Sequence, residues 1–280
     1  MTVKLSTPCT GVPKIGAGAL GSEEPVIDSV ASVRPSRVAV TSTVTVVSVG
    51  KPETVTPHAL TREEIKAVVG DFRTAAANAM AAGFDGVEIH SSNGYLFHQF
   101  FSPLANRRDD EYGGSHENRA RFFFEVLDAI GEVMPLNRVG FRLNPMMNRF
   151  HGVSVDADTV PMWEHIVRRA NDYGLAFLHL TEPFLPKQLD DTPGALADVG
   201  AHFRPLATMP IIANGGLDQA KGEARLEAGL CDAVAYGKAW IANPDLVERF
   251  ARQAPLNEAD MATFYQGGEK GYLDYPTLAA

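Results

Sequence analysis

From residue 58 onward, apolar side chains recur with two periods in regular alternation, one of helix and one of strand, and few folds satisfy that pattern. Ile65, Val68, Val69, Phe72, Ala76 and Met80 stand at the three- and four-residue steps of a helix stripe. Thr61 and Glu64 form a capping box before it, and Gly83 closes it. A strand is expected at 85–90. After a loop at 91–114, Ser115 is placed to cap a second helix carrying Phe123, Val126, Leu127 and Ile130, and RVGFRL (138–143) reads as the next strand. The alternation continues through a helix at 159–173, strands at 176–181 (AFLHLT) and 210–216 (PIIANGG), and a helix near 218–229. A strand at 233–241 (AVAYGKAWI) and a helix from Pro244 complete the series.

Five strands rich in Val, Ile, Leu and Phe, separated by amphipathic helices, mean parallel βα units covered on both faces. A (β/α)8 barrel and an open doubly wound sheet both satisfy that. The barrel is favoured, because His90, Asn93, Arg142, Asn214, Gly237 and Lys238 fall at or just past the carboxyl ends of several strands, where barrels assemble their sites. A doubly wound sheet gathers its ligands at one switch point instead. Residues 1–57 differ: they hold Gly, Pro, Ser, Thr and Val with one alternating segment at 37–49 and no helical stripe. A βα unit takes roughly 30 residues, so this segment is too short for the three units that would close an eight-stranded barrel. The expected organisation is an irregular 1–57 segment, poorly ordered over 1–35 with a candidate strand at 37–49, followed by a partial α/β TIM-type barrel at 58–280. A barrel wall lacking three strands exposes two sheet edges, which residues 37–49 or a second subunit in a homo-oligomer would have to cover.

The composition, 45% hydrophobic and 21% charged, is that of a globular chain able to bury a core. A formal charge of −9 without a block of like charge argues against nucleic acid or an anionic membrane as partner and for a small molecule. Cys9 and Cys231 offer no disulfide framework, which suits a reducing compartment. No apolar run approaches the roughly 20 residues of a membrane span, and residues 1–30 lack a basic segment followed by an apolar one, so a cytoplasmic location is expected. His151, His165 and His202 have no metal-ligand spacing and read as surface or cap residues; no metal is expected. The run Phe122–Phe124 is explained by packing.

The chemistry concentrates in VEIHSSNGYLFHQFFSP (87–103), where an apolar strand runs into His90, Asn93 and Tyr95. His90 and Asn93 offer donors to an electron-rich group. The Tyr95 phenol, protonated at neutral pH, is available as a general acid for a carbanion-like intermediate. The alternative is that His90 and Tyr95 only close a strand end with hydrogen bonds. Arg142 puts an obligate cation at the end of an apolar strand; it pairs either with Glu88 on the neighbouring strand or with the negative charge of a reduced flavin ring. ANGG (213–216) and YGKA (236–239) expose backbone N–H groups at the last two strands, and Lys238 adds positive charge. Each turn alone is an ordinary cap; together they suit the phosphate of a cofactor. No G-x-G-x-x-G follows a strand, so a Rossmann nicotinamide domain is not indicated. A sugar-phosphate barrel enzyme could use the same turns, but it leaves the His90, Asn93 and Tyr95 trio without a role.

The segment GFDGVEIHSSNGYLFHQFFSPLANRRDDEYGGSHENRARF (83–122) resembles the hallmark segment of the Old Yellow Enzyme family, the FMN-dependent ene-reductases. The resemblance continues through GFRLNP, FLHLTEP, PIIANGG, YGKAWIANPDLVERF and FYQGGEKGYLDYP, covering about 58–278 in family order. It implies a TIM barrel that binds FMN non-covalently and takes hydride from NADPH or NADH. The hydride goes to the β-carbon of an α,β-unsaturated carbonyl compound or quinone while a tyrosine protonates the α-carbon. On that resemblance His90 and Asn93 bind the substrate carbonyl oxygen, Tyr95 donates the proton and Arg142 contacts the flavin. Asn214, Gly215, Gly216, Gly237 and Lys238 fall on the phosphate-binding turns, and Tyr265 lines the substrate pocket. Lys238 stands where the family usually has Arg, which keeps the charge but loses bidentate geometry. The family's N-terminal flavin-contacting motifs do not appear in 1–57, so a catalytically impaired relative without stable flavin binding is the alternative function.

Overall fold

The computed structural model of the chain describes residues 44–46, 53–55, 58–149, 152–183, 192–264 and 269–278. Val44–Val46 (β1) and Glu53–Val55 (β2) pair antiparallel as a sheet of two. The part of the candidate strand at 37–49 that is described therefore sits in a ladder of its own, apart from the main sheet. Residues 1–35 lie outside the described residues.

Helix α1 (Arg62–Ala81) begins with the expected capping box: the Glu64 N–H donates to Thr61 Oγ1 at 3.2 Å, and the Thr61 N–H donates to Glu64 Oε2 at 2.8 Å. It leads into β3 (Val87–His90), the first of five parallel strands with β4 (Val139–Leu143), β5 (Phe177–Thr181), β6 (Ile211–Asn214) and β7 (Ala233–Val234). Each strand lies beside the next in chain order. A doubly wound sheet reverses that order at its switch point, whereas a barrel wall does not, and this sheet is a barrel wall. In the ladder, His90 stands opposite Arg142, Arg142 opposite His179, and Thr181 opposite Asn214.

Because strand side chains alternate between faces, each strand feeds two environments. Ile89, Phe141, Leu178 and Ile211 point to the helices and are buried. Glu88, His90, Arg142, His179, Thr181 and Asn214 occupy the other parity together with Phe177 and Ile212, so the barrel-facing side of the sheet carries most of its polar groups.

The structure corrects the sequence reading of two elements. The loop at 91–114 contains a helix, α2 (Leu96–Phe101), in which all six side chains are buried. A helix buried all round carries no amphipathic stripe, so periodicity could not find it. Phe97 stacks on Phe122 at a centroid distance of 4.9 Å, and Phe101 meets Trp163 edge-on at 5.3 Å. Those partners sit on α3 (His116–Gly131) and α4 (Thr159–Ala170), and Ser115 caps α3 by accepting the Asn118 N–H at 3.2 Å.

After β5 come α5 (Val199–Phe203) and α6 (Gln219–Glu227). The second correction follows: the strand expected at 233–241 is only two residues long, and α7 (Lys238–Ala242) and α8 (Leu246–Ala251) come after it. The last rung is the Ala235 N–H on Ala213 O at 2.8 Å, and the Ala235 carbonyl is then taken by the Asn214 amide at 3.1 Å. With that carbonyl capped by a side chain, the strand has no further ladder to extend, and Gly237 opens the helix.

Candidate active site

The loop leaving β3 is held at several backbone positions. The Ser91 N–H and hydroxyl both donate to the Arg142 carbonyl, at 3.3 and 2.9 Å. The Gly94 N–H donates to His98 Nδ1 at 3.1 Å, and Gln99 Nε2 donates to the Gly94 carbonyl at 2.6 Å. Asn93 and Gly94 both take the left-handed conformation, at φ 58 and 74. Desolvation, and then the neighbouring His90, hold the His98 imidazole down at about 3, so it is neutral at physiological pH and its Nδ1 stays an acceptor.

On this frame the His90 and Tyr95 rings meet edge-on with centroids 5.3 Å apart. Tyr95 is 44% exposed, so its phenol reaches solvent. Asn93, between them, accepts a hydrogen bond at Oδ1 from the Asn144 amide at 2.8 Å. The structure thus brings the three residues together on one loop. His90 also neighbours Arg142 across the β3–β4 ladder.

Arg142 donates to Asn214 Oδ1 at 2.8 Å, which links these two residues singled out as cofactor contacts, and to Thr181 Oγ1 at 3.3 Å. Glu88, the alternative partner for Arg142, instead accepts a 2.8 Å hydrogen bond from His179 Nδ1. On the same polar face, His179 Nε2 is buried with no hydrogen-bond partner among the described residues. Gly215 takes φ +104, and a Cβ there would come within 2.6 Å of the Glu182 carbonyl, so this turn needs glycine to let two backbones approach. At Gly237 a Cβ would meet open space, and Lys238 beside it is exposed. Tyr265 lies outside the described residues, as does His151.

His165 and His202, read from sequence as surface or cap residues, are half-buried between helices: His202 meets Glu164 at 2.9 Å, while His165 Nε2 stands 3.3 Å from Glu117 without a hydrogen bond among the described residues. The carboxylates they meet lie a helix away, which sequence spacing could not show. No group of His, Cys, Asp or Glu suited to a metal occurs among the described residues, and no helix among them is long and apolar enough to cross a membrane.

Sequence reasoning passed over His98, Asn144 and His179. A signal was available for His179: VEIH, FRL, FLHLT and IAN all place polar residues at the same strand parity, which marks one polar face. His98 and Asn144 had none, since their roles depend on contacts across the loop.

The chain matches the model of the NADH:flavin oxidoreductase / NADH oxidase family over residues 20–257. It is 44% identical over 227 residues to the putative 12-oxophytodienoate reductase 4 of Oryza sativa subsp. japonica, covering 79% of this chain and 58% of that protein. A probable flavin mononucleotide-dependent alkene reductase of Leishmania infantum is 42% identical over 224 residues, with coverage of 79% and 58%. Morphinone reductase, solved in complex with tetrahydroNAD, aligns with a TM-score of 0.75 at 39% identity, covering 87% of this chain and 67% of that one. The chain spans about three-fifths of the length of the curated relatives it matches.

Proposed function

We propose, because this chain belongs to the NADH:flavin oxidoreductase / NADH oxidase family, that it is an FMN-dependent ene-reductase acting on α,β-unsaturated carbonyl compounds or quinones, with NADPH or NADH as reductant. The observation that carries this reading is the His90, Asn93 and Tyr95 cluster on a clamped loop beside Arg142. The barrel alone hosts many chemistries, so the site and not the fold carries the reading.

The described residues fit FMN. Arg142 donates to the neutral side chains of Thr181 and Asn214, and a guanidinium, charged at any physiological pH, suits an electron-rich ring. The open space at Gly237 and the exposed Lys238 suit a phosphate. When bound, FMN would supply the hydride transfer between the nicotinamide and the substrate β-carbon. His90 and Asn93 then act as donors to the substrate carbonyl oxygen, stabilising it as enolate charge develops. Tyr95 gives its phenolic proton to the α-carbon and, being exposed, recovers a proton from solvent.

The test is to load the purified protein with FMN, bleach it anaerobically with NADPH or NADH, and add a cyclic enone. Return of the yellow colour with formation of the saturated ketone supports the proposal. Protein that stays colourless after reconstitution overturns it in favour of the catalytically impaired relative. A cytoplasmic location belongs to the same proposal, supported by the buried free thiol of Cys231. So does a homo-oligomer, which would cover the outer edge of β3, and light scattering of the loaded protein reads it.

A further inference from the structure

We propose that Asn144 is a positioning residue that sets which end of the Asn93 amide faces the substrate. The inference rests on the reading above, in which Asn93 binds the substrate oxygen. An asparagine amide presents either an oxygen or an NH2 group, and a half-turn about its last torsion exchanges the two with almost no change of shape. One end donates to an enolate oxygen; the other repels it.

The backbone cannot make that choice. Ser91 is tied to the Arg142 carbonyl, Gly94 is tied at both its N–H and its carbonyl to His98 and Gln99, and Asn93 between them is held at φ 58. What is left undetermined is the amide flip. Asn144 determines it: its Nδ2 donates to Asn93 Oδ1 at 2.8 Å from a side chain only 2% exposed. With its oxygen engaged, Asn93 turns its NH2 outward as a donor. Asn144 lies two residues beyond Arg142, just past β4, so one strand end supplies both the cation and the group that orients Asn93. A leucine at that position would fill similar space without selecting either orientation.

The experiment compares FMN-loaded wild type with Asn144→Leu, Asn144→Asp, Asn93→Ala and the Asn93→Ala/Asn144→Leu double variant. The probe is a para-substituted phenol, whose phenolate oxygen mimics the enolate, and the readout is its Kd by absorbance titration. Asn144→Leu is expected to weaken binding about 10- to 100-fold, the value of one hydrogen bond to a charged group. In the Asn93→Ala background the same change is expected to cost nothing further, an outcome that a general structural defect would not give. Asn144→Asp keeps the shape but accepts where asparagine donates, so it draws the Asn93 NH2 to itself and weakens binding at neutral pH. Its deficit relative to wild type shrinks as the pH falls far enough for the carboxyl to be protonated and donate. Additive losses in the double variant overturn the proposal, as does wild-type affinity in Asn144→Asp at neutral pH. A second readout needs no phenol: the side-chain amide resonance of Asn93 in nitrogen-15-labelled protein is expected to move in Asn144→Asp. If wild type binds no phenol, the functional reading fails, yet an unmoved resonance overturns the positioning role by itself.

Discussion

The two faces of the central sheet are built from the same strands and have almost nothing else in common. The helix-facing positions, Ile89, Phe141, Leu178 and Ile211, are at most 3% exposed. Burying one such side chain contributes about 1.5–3 kcal/mol, so this face carries the stability. The barrel-facing positions hold a linked polar layer in which Glu88 meets His179 and Arg142 meets Thr181 and Asn214. Such layers add little net stability, because desolvation offsets much of the attraction, but they fix side chains in place. A strand repeat of two residues lets one short segment serve both purposes, and the division should be visible when each side is damaged separately.

The largest effect is expected on the apolar side. Phe122, fully buried, stacked on Phe97 and tilted against Phe100, each with centroids 4.9 Å away, anchors α3. Phe122→Ala is expected to lose about 3–5 kcal/mol in chemical denaturation, with turnover per folded molecule unchanged. A parallel loss of turnover would erase the division. On the polar side, Tyr95→Phe is expected to leave stability and the NADPH half-reaction intact while slowing enone reduction about 100-fold, the lower range for a missing general acid. Stopped-flow traces of the two half-reactions separate these outcomes.

His98 lies beneath the loop that joins the faces and sharpens the comparison through pH. Burial and then the neighbouring His90 hold it at about 3 in the folded chain against an ordinary 6.5. As pH falls below 6.5 the unfolded chain takes up a proton that the folded one refuses, so this contribution is full above 6.5 and drains toward 3. Between about pH 6.5 and 5 the loss is about 2 kcal/mol. His98→Asn keeps an acceptor for the Gly94 N–H and removes the titration, so its stability should vary less over that range; an unchanged slope would mean another group is responsible. The smallest effect is at the helix end: Ser115→Ala removes the α3 cap and is expected to cost about 1 kcal/mol in the same denaturation assay, with no change in the chemistry.

What the sequence made legible was local. The capping box of Thr61 and Glu64 is visible because both partners lie within one turn, and the amphipathic helices betray themselves by period. The loop holding His90, Asn93 and Tyr95 stands out because polar groups interrupt an apolar run. Helix α2 escaped because its six buried residues have no polar side to set a period. The early end of β7 escaped because a side chain from the neighbouring strand, Asn214, takes the carbonyl that would have continued the ladder. Glu88 and His179 are 91 residues apart in sequence, and their pairing exists only once the strands are in register. Asn144 was hidden for the same reason.

The left-handed backbone at Asn93 has a consequence for what evolution or design can put there. That region of conformational space admits glycine freely, tolerates asparagine and aspartate, and penalises β-branched and bulky residues. The proposed chemistry asks for a neutral donor, which glycine lacks and aspartate reverses. Two independent filters, one steric and one electronic, therefore leave few amino acids that pass both, asparagine and histidine among them, and any wider drift at this position must first reshape the loop.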